Sequence, residues 1–443
     1  MSELPDAPVP AAGPRSRRRA ALAVFLLSLL IYNANCRWIG ALDSRPARLL
    51  PLSLLTAGSV YLDRFEPIMQ QELASYWYLR TPAGHLISFY PIVVPLLAAP
   101  LFIPAALWLL RDGAATPGVL LLAEMCEKAA ASVIAAASVA LMFVLLRRFT
   151  TASTAVLLTI AYAFATETWM ISSQALWLHG LSELLLAALF LALLRPNAGS
   201  VSLAGLLTGL LVVNRPPNVV FGAGALVYVL LHHRRHALRF VAVAGGIVAT
   251  FLGYNLSQAS GLLGGYTPWA STTSFNFDRA VLDGFAGLLV SPARGLLLFS
   301  PFFVFLALAP RYRAAPPLGG LLRCFVPAAA LQLLLFAAFR YWPGGACYGP
   351  RYLTDMLPIL VLALVPVVDR LGWAGRLAFA ALVAFGIGVQ AIGAFCYPMG
   401  HSQMAADVWD LSNVQYVREL RGGSVGLPFI DAVQQVEWSP APP

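Results

Sequence analysis

Charged residues are scarce in this chain, and their scarcity excludes most soluble folds. Only 11% of the 443 residues are Asp, Glu, Lys or Arg, whereas 59% are hydrophobic and the mean hydropathy is +0.75. A soluble domain carries about 25% charged residues, so water is not the main solvent of this protein. Its length instead accommodates about ten to twelve membrane spans of roughly 20 apolar residues each. We therefore predict an all-α polytopic membrane protein.

The sequence also lacks the common motifs of nucleotide and metal binding. It has no G-x-G-x-x-G string, no P-loop and no alternating strand–helix pattern, which argues against a nucleotide-sugar donor. Its five cysteines show no CxxC spacing, so no metal ligand is assigned, although a Cys347–Cys396 disulfide stays open. The net charge of +9 comes mostly from short arginine clusters between apolar runs. Arginine in such positions sets membrane topology, and we expect no nucleic-acid partner.

The N-terminal residues predict an anchored first helix. Residues 1–19 are expected to form a disordered cytoplasmic segment that ends in a basic cluster, and an apolar run follows. A signal peptide is the alternative, but no convincing A-x-A cleavage site follows the run, so we favour a retained helix. A transmembrane domain at 20–397 then contains a first periplasmic loop at 37–86. A periplasmic C-terminal segment occupies 398–443.

Later basic clusters lie at the edges of apolar runs, and by the positive-inside rule all of them should be cytoplasmic. That assignment requires Leu86–Leu110 to make no net crossing. Its four prolines remove backbone donors and favour a re-entrant or interfacial segment, with a kinked ordinary span as the alternative. With the first helix, the chain then has about 11 transmembrane helices, and juxtamembrane helices of the first loop are expected to lie on the outer membrane surface. The later ones are predicted at 119–146, 150–168, 175–194, 201–213, 218–231, 238–256, 295–309, 320–339, 353–368 and 377–397.

Acids, arginines and aromatic residues collect in the segments predicted to lie outside. They are Asp43, Arg45 and Asp63 in the first loop, His85 and Tyr90 before the proline-rich run, Glu167 and His179 in a third segment, and Arg294, Tyr348 and Arg351 in a fourth. Arg215 lies between two helices that are each too short to span. Such a broken pair is typical of an anion site, although an arginine reaching the headgroups is an equal alternative.

This set of side chains fits the transfer of a glycosyl group from a phosphate. The reaction needs a carboxylate to accept the proton of the acceptor hydroxyl, and cations to stabilise the departing phosphate. Arginine suits phosphate because its planar fork donates two parallel hydrogen bonds. A donor embedded in the membrane as a lipid phosphate therefore fits better than a soluble one.

Several strings resemble the GT-C superfamily of membrane glycosyltransferases, in the branch with protein O-mannosyltransferases and lipid A aminoarabinose transferases. They are DSRPARLLPLSLLTAG, GHLISFYPIVVPLLAAPLF, SQALWLHG, SPARGLLLFSP and YWPGGACYGPRYLTDMLP, and the likeness covers about 35–365. The resemblance implies a GT-C-like bundle, with Asp43 at the position of the first-loop acid and Glu167 at that of a second acid. It also implies that Arg215, Arg294 or Arg351 binds the lipid phosphate. Ser44 replaces the second acid of the O-mannosyltransferase Asp-Glu pair, which puts a protein acceptor of that kind in doubt.

The resulting hypothesis is an inverting glycosyltransferase that uses a polyprenyl-phosphate-linked sugar on the periplasmic face of the inner membrane. Asp43 is the candidate base, and Arg351 or Arg294 holds the phosphate. For Asp43 a helix cap, and for Asp63 a solvated ion pair with Arg64, are the structural alternatives. The sugar, the acceptor (glycan, lipid or protein) and the need for a divalent metal stay open. A flippase of lipid-linked saccharides and a non-catalytic scaffold are the competing functions.

Overall fold

The computed structural model describes residues 14–69, 77–259, 261–267, 274–275, 280–398 and 408–435. Within these residues the chain is a helical bundle with one two-stranded antiparallel sheet, β1 (Tyr78–Arg80) and β2 (Leu86–Ser88). The prediction of an all-α membrane protein is confirmed. The remainder of the predicted terminal segments, at 1–13, 399–407 and 436–443, lies outside the described residues.

The helices follow one another with short connections. The α-helices are α1 (Pro14–Asn33), α2 (Arg45–Ala57), α3 (Glu66–Met69), α4 (Val93–Ala98), α5 (Ile103–Asp112), α6 (Pro117–Leu146), α7 (Ala152–Phe164), α8 (Leu178–Leu193), α9 (Ala198–Asn214), α10 (Val219–His232), α11 (Ala237–Ala259), α12 (Ala280–Val290), α13 (Leu296–Phe299), α14 (Leu318–Ala338), α15 (Leu357–Val368), α16 (Trp373–Cys396), α17 (Gln415–Gly422) and α18 (Pro428–Gln435). Short 3-10 helices include Leu42–Ser44, Asp63–Phe65, Ala99–Phe102, Pro216–Asn218, Arg234–His236, Pro301–Arg311 and Arg351–Met356.

Every later helix predicted from the apolar runs has a counterpart, and α12 is an addition. Among the described residues, six helical stretches are long and apolar enough to cross a membrane by length and composition, and six further apolar helices have 10–17 residues. The first helix begins at Pro14, so the predicted disorder does not extend to residue 19. Proline fits the first helical turn and arginine is a good helix former, which is why the basic cluster joins α1.

The proline-rich stretch after β2 is more regular than its composition suggested. Val93–Asp112 forms 20 residues of helix in which the 3-10 turn Ala99–Phe102 surrounds Pro100. Proline has no amide proton, so the helix tightens there and continues. The stretch is apolar enough to cross a membrane by length and composition, and both a kinked span and an interfacial helix remain predictions.

The 30-residue helix α6 lies at the centre of the bundle and packs against α1, α2, α5, α7 and α8. Its buried face is rich in small residues, including Ala130, Ala131, Ala135 and Ala136. Small side chains let helix backbones approach closely where apolar burial alone gives little driving force in a lipid environment. The residues around α6 therefore form a tightly packed framework for the polar groups at its end.

The basic clusters meet at one end of the bundle. Arg370 donates to the Arg313 carbonyl, Arg235 donates to the carbonyl of Pro196, and Arg148 lies within electrostatic range of Arg195. The segments predicted to be external meet at the other end. The alternation deduced from the basic clusters agrees with this arrangement, while the side of the membrane that each end faces remains a prediction.

Candidate active site

Asp43 and Arg351 form an ion pair at the end of the bundle opposite the basic clusters. Asp43 lies in the 3-10 turn Leu42–Ser44, directly before α2, and Arg351 opens the turn Arg351–Met356. The Nη1 group of Arg351 donates to Oδ2 of Asp43 at 2.7 Å, and Nη2 donates to the Gly344 carbonyl at 2.7 Å. The Arg351 side chain is 8% exposed and that of Asp43 is 22% exposed. The carboxylate is therefore the accessible partner of a buried cation.

Aromatic rings hold the Arg351 guanidinium in place. Its central carbon lies 4.6 Å from the ring centre of Trp177 and 5.4 Å from that of Tyr352. Tyr352 stacks face to face on Phe336, with ring centres 4.9 Å apart. Aromatic faces attract a guanidinium and restrict its rotation. The fork of Arg351 is thus oriented before any ligand binds.

A second ion pair lies four residues further along the chain. Asp355 is fully buried, accepts a hydrogen bond from Nη1 of Arg215, and has its Oδ1 atom 2.8 Å from Nδ1 of His179. Asp43, Arg351, Asp355, Arg215 and His179 together make what we call the arginine–carboxylate cluster. Two guanidinium groups and two carboxylates balance in charge within it, which makes their burial tolerable.

Four members of this cluster were predicted from the sequence, and Asp355 was not. An acid at the start of a predicted apolar helix was the available signal, because an ionisable group there is costly unless it is paired. Its partners come from distant parts of the chain: Arg215 is 140 residues away and His179 is 176 residues away. Only the tertiary structure identifies that pairing.

Tyr90 borders the cluster through another tyrosine. Tyr266 lies within electrostatic range of Asp43, Arg215 and Arg351, and its ring centre is 6.1 Å from that of Tyr90 in an edge-on arrangement. Aromatic rings beside a polar site suit the apolar faces of a sugar or an isoprenoid chain. Tyr90 therefore lies at the rim of the candidate site.

Buried charges on α6 support the segment below Arg351. Nε of Arg48 donates to Oε2 of Glu127 at 2.6 Å, and Oε1 of Glu127 accepts the Leu176 amide at 3.1 Å. Nζ of the neighbouring Lys128 donates to the Ser173 carbonyl at 3.0 Å. These bonds anchor the backbone that precedes the tryptophan beneath Arg351. Packing and hydrogen bonds of this kind keep a binding group in a single orientation.

The other first-loop candidates make local contacts. Arg45 lies 5.6 Å from the ring centre of Trp38. Asp63 accepts the Leu86 amide at 2.6 Å and pairs with Nδ1 of His85 at 2.7 Å. Desolvation raises the pKa of the Asp63 carboxyl, but the hydrogen bonds from the Leu86 amide and the His85 ring together hold this pKa below its ordinary value. Both members of the Asp63–His85 pair are substantially exposed, and the pair fastens the hairpin that contains β2.

Glu167 belongs to a separate polar group beneath the Gly/Pro-rich loop before Arg351. Its Oε1 atom accepts a hydrogen bond from Gln390 at 3.1 Å, and a Cβ atom added to Gly349 would lie 2.3 Å from it. Gly349 also has a φ of 64°, so only glycine fits this close approach. Tyr348 is buried nearby and donates its hydroxyl proton to the Val389 carbonyl at 2.6 Å. Both residues support the loop from below.

Arg294 is enclosed by protein acceptors. It donates to the carbonyls of Pro343 at 2.5 Å and Gly345 at 2.9 Å, and to Oε1 of Gln415 at 2.9 Å. Its exposed fraction is 1%. Gln415 comes from the C-terminal helix α17 and also accepts the Gly349 amide at 3.0 Å. Arg294 and Gln415 therefore hold together the loop that leads to Arg351, and we name them the loop clamp.

The described part of the chain contains no group of three or more His, Cys, Asp or Glu side chains placed to hold a metal ion. All five cysteines are free thiols, so the Cys347–Cys396 disulfide left open by the sequence is not formed. The polar chemistry of the site consists of arginines, carboxylates, one histidine and aromatic rings.

No family model matches the sequence, and no match was found among curated proteins. Its structure is similar to that of ArnT from Cupriavidus metallidurans bound to undecaprenyl phosphate, with a TM-score of 0.55, 14% identity and coverage of 89% of this chain and 67% of ArnT. Apo ArnT gives a TM-score of 0.53 at 13% identity, with coverage of 91% and 67%. The oligosaccharyltransferase of Archaeoglobus fulgidus gives 0.46 at 14% identity, with coverage of 85% and 55%.

The likeness to the two ArnT structures establishes the fold. ArnT is a GT-C protein, and the chain spans about two thirds of its length. The prediction of a GT-C-like helical bundle is therefore confirmed.

Proposed function

We propose that this protein transfers a sugar from a polyprenyl-phosphate-linked donor to an acceptor hydroxyl on the periplasmic face of the membrane. The observation that carries the proposal is the Asp43–Arg351 pair, in which a buried, oriented guanidinium is bound to a more exposed carboxylate at 2.7 Å. The pair combines a cation for phosphate with a base for a hydroxyl. The solved ArnT structure with the same fold is bound to undecaprenyl phosphate, which supports a lipid-phosphate ligand.

The pair suggests an exchange of partners when the donor binds. The donor phosphate takes the place of the Asp43 carboxylate on Nη1 of Arg351, since phosphate accepts charge-assisted hydrogen bonds from a guanidinium. The displaced Asp43 carboxylate then accepts a proton. The cation stabilises the charge that develops on the leaving phosphate.

Transfer follows as a single displacement. The acceptor oxygen attacks C1 of the sugar while Asp43 takes its proton, and the bond between C1 and the phosphate oxygen breaks. The electron pair of that bond leaves with the polyprenyl phosphate. Attack from the face opposite the leaving group inverts the configuration at C1. Arg215, held by Asp355, supplies a second positive group behind the aromatic rings.

The test measures sugar transfer in proteoliposomes with a panel of radiolabelled polyprenyl-phosphate sugars and candidate glycan, lipid and peptide acceptors. Asp43→Asn should reduce transfer at least about 100-fold, because positioned general bases contribute about 10²–10⁴-fold. Asp63→Asn is the matched control in the same loop and should retain transfer. Near-normal transfer by Asp43→Asn at wild-type expression would show that Asp43 is not the base.

A flippase of lipid-linked saccharides is the second candidate. It is favoured by the broken helix pair α9 and α10, where buried Arg215 lies at the junction. In the same proteoliposomes, movement of labelled lipid between leaflets without sugar transfer would select this function over the glycosyltransferase.

A further inference from the structure

An apolar groove of about 1010 Å³ runs along α15 on the outside of the bundle. Its floor is formed by Ile359, Leu360, Ala363 and Pro366 of that helix and by Met356, which ends the preceding 3-10 turn. The 3-10 helix Pro301–Arg311 and α14 both pack on α15 and form the two walls. This volume is at the top of the range of about 300–1,000 Å³ that accommodates drug-sized ligands.

The groove results from small side chains and prolines on its walls. Ala309 and Pro310 lie on one wall, and Pro327, Ala329 and Ala330 lie on the other. Short side chains cannot fill the space between two helices, and proline cannot extend across it. Ala330 is exposed, so the groove is open to the surroundings of the bundle.

One end of the groove is basic. Arg313 and Arg323 line it beside Tyr312, and no acid is among the lining residues. Arg370 lies 5.5 Å from the ring centre of Tyr312 and adds a third cation. Both lining arginines are exposed. The groove therefore joins an apolar channel to a cationic mouth, and this mouth belongs to the end of the bundle where the basic clusters meet.

We propose that this groove binds one anionic membrane phospholipid. Its phosphate would lie between Arg313 and Arg323, and its acyl chains along α15 towards Met356. Guanidinium groups form charge-assisted hydrogen bonds to phosphate, and basic side chains at a membrane surface attract anionic headgroups. Charge complementarity at the mouth selects a lipid of this class over a neutral one. The proposal does not depend on the catalytic function.

A lipid in this groove would also contact both of its walls. The 3-10 helix Pro301–Arg311 and α14 leave an unfilled space over α15, and acyl chains would supply the missing van der Waals contacts. A bound phospholipid would therefore stabilise the helix that continues from the turn carrying Arg351 and Asp355.

The test is native mass spectrometry of the purified full chain after exchange into mixed micelles with equal amounts of phosphatidylglycerol and phosphatidylcholine. The wild type should retain phosphatidylglycerol about 10- to 30-fold over phosphatidylcholine, as expected for two basic side chains near an anionic headgroup. The double variant Arg313→Ala/Arg323→Ala should lose this preference. Arg234→Ala/Arg239→Ala removes the same charge elsewhere at the same end and should keep it.

A second variant tests the channel separately. Ala330→Trp places a large ring in the groove without changing charge, and it should reduce the lipid retained by the protein several-fold. Equal retention of the two lipids by the wild type would overturn the proposal. So would the same loss of preference in both double variants, since the effect would then be general surface charge. Unchanged lipid retention by Ala330→Trp would show that the lipid does not occupy the apolar channel.

Discussion

Arg294 and Arg351 are both buried beside the Gly/Pro-rich loop, but their N–H groups have different partners. Arg294 bonds only to protein groups, namely carbonyl oxygens and the Gln415 amide, and it is 1% exposed. Arg351 pairs with Asp43, whose carboxylate is 22% exposed, and lies against aromatic faces. From the sequence, each was a candidate for the residue that holds the phosphate. Their surroundings instead suggest that a cation for a ligand keeps an exchangeable partner, whereas a structural cation donates to backbone and amide oxygens of the protein.

The largest effect should come from removing the structural arginine. Arg294→Met would remove the donor to the backbone carbonyls of Ala293, Pro343 and Gly345 and one of the two donors to Gln415. We expect a loss of about 3–5 kcal/mol in unfolding free energy. Thermal unfolding in detergent, followed by tryptophan fluorescence, measures it. Arg311→Met, an exposed position at the opposite end, is the control and should change little. A variant with wild-type stability and no transfer would instead assign Arg294 to the ligand.

Arg351→Lys should show the reverse pattern. Lysine keeps the charge but loses the planar fork, so we expect transfer to fall about 100- to 1,000-fold, as for the loss of one transition-state donor. The melting temperature should stay close to that of the wild type. Steady-state kinetics in proteoliposomes and a parallel melting curve provide both readings. A large drop in melting temperature with proportionate loss of transfer would make Arg351 another structural arginine.

Asp355→Asn sharpens the comparison inside the arginine–carboxylate cluster. The amide preserves the shape but removes the charge that orients Arg215 and His179. Misplacement of these groups should lower transfer about 10- to 100-fold. The variant should mainly raise KM for the donor if Arg215 contacts the phosphate. An unchanged KM with a lower kcat would exclude a contact between Arg215 and the donor phosphate. Asp355 would then act on the chemical step.

The smallest effect should come from the C-terminal half of the loop clamp. Gln415→Ala removes bonds to Arg294, Gly349 and Cys347, at a cost of about 1–3 kcal/mol for buried groups left unpaired. Transfer should fall only a few-fold, because the loop is loosened without loss of a reacting group. Arg421→Ala, exposed on the same helix, is the control for both measurements. A loss as large as that of Arg351→Lys would give α17 a direct role at the site.

Most helices were predictable because apolar runs in this chain are bounded by arginine or proline. Among the apolar helices α12 is an exception: it is only 11 residues long and contains Asp283, so its pattern is weak. The carboxylate of Asp283 accepts a hydrogen bond from the indole of Trp409, a contact that no local pattern indicates. Short helices that depend on distant partners are the ones that periodicity misses.

The candidate site was predictable in part for the same reason. Asp43 and Arg351 stand out in the sequence because acids and arginines are rare and lie beside apolar runs. The pairing of these two residues cannot be seen in the sequence, since they are 308 residues apart. Glu167 was grouped with Asp43 from resemblance, but in the structure it bonds to Gln390 beneath the loop.

The sequence by itself determined that the chain lies in a membrane, that it is an all-α bundle and that its charged residues group at two ends. These features follow from the hydropathy of each segment and from the positions of the arginines, which are local properties of the chain. The tertiary structure alone decided that Arg351 pairs with a carboxylate, whereas Arg294 donates mainly to backbone carbonyls. It also brought Asp355 to Arg215 and His179 and left the groove open over α15. These outcomes depend on contacts between residues far apart in sequence, where packing and the cost of unpaired buried charge select the partners.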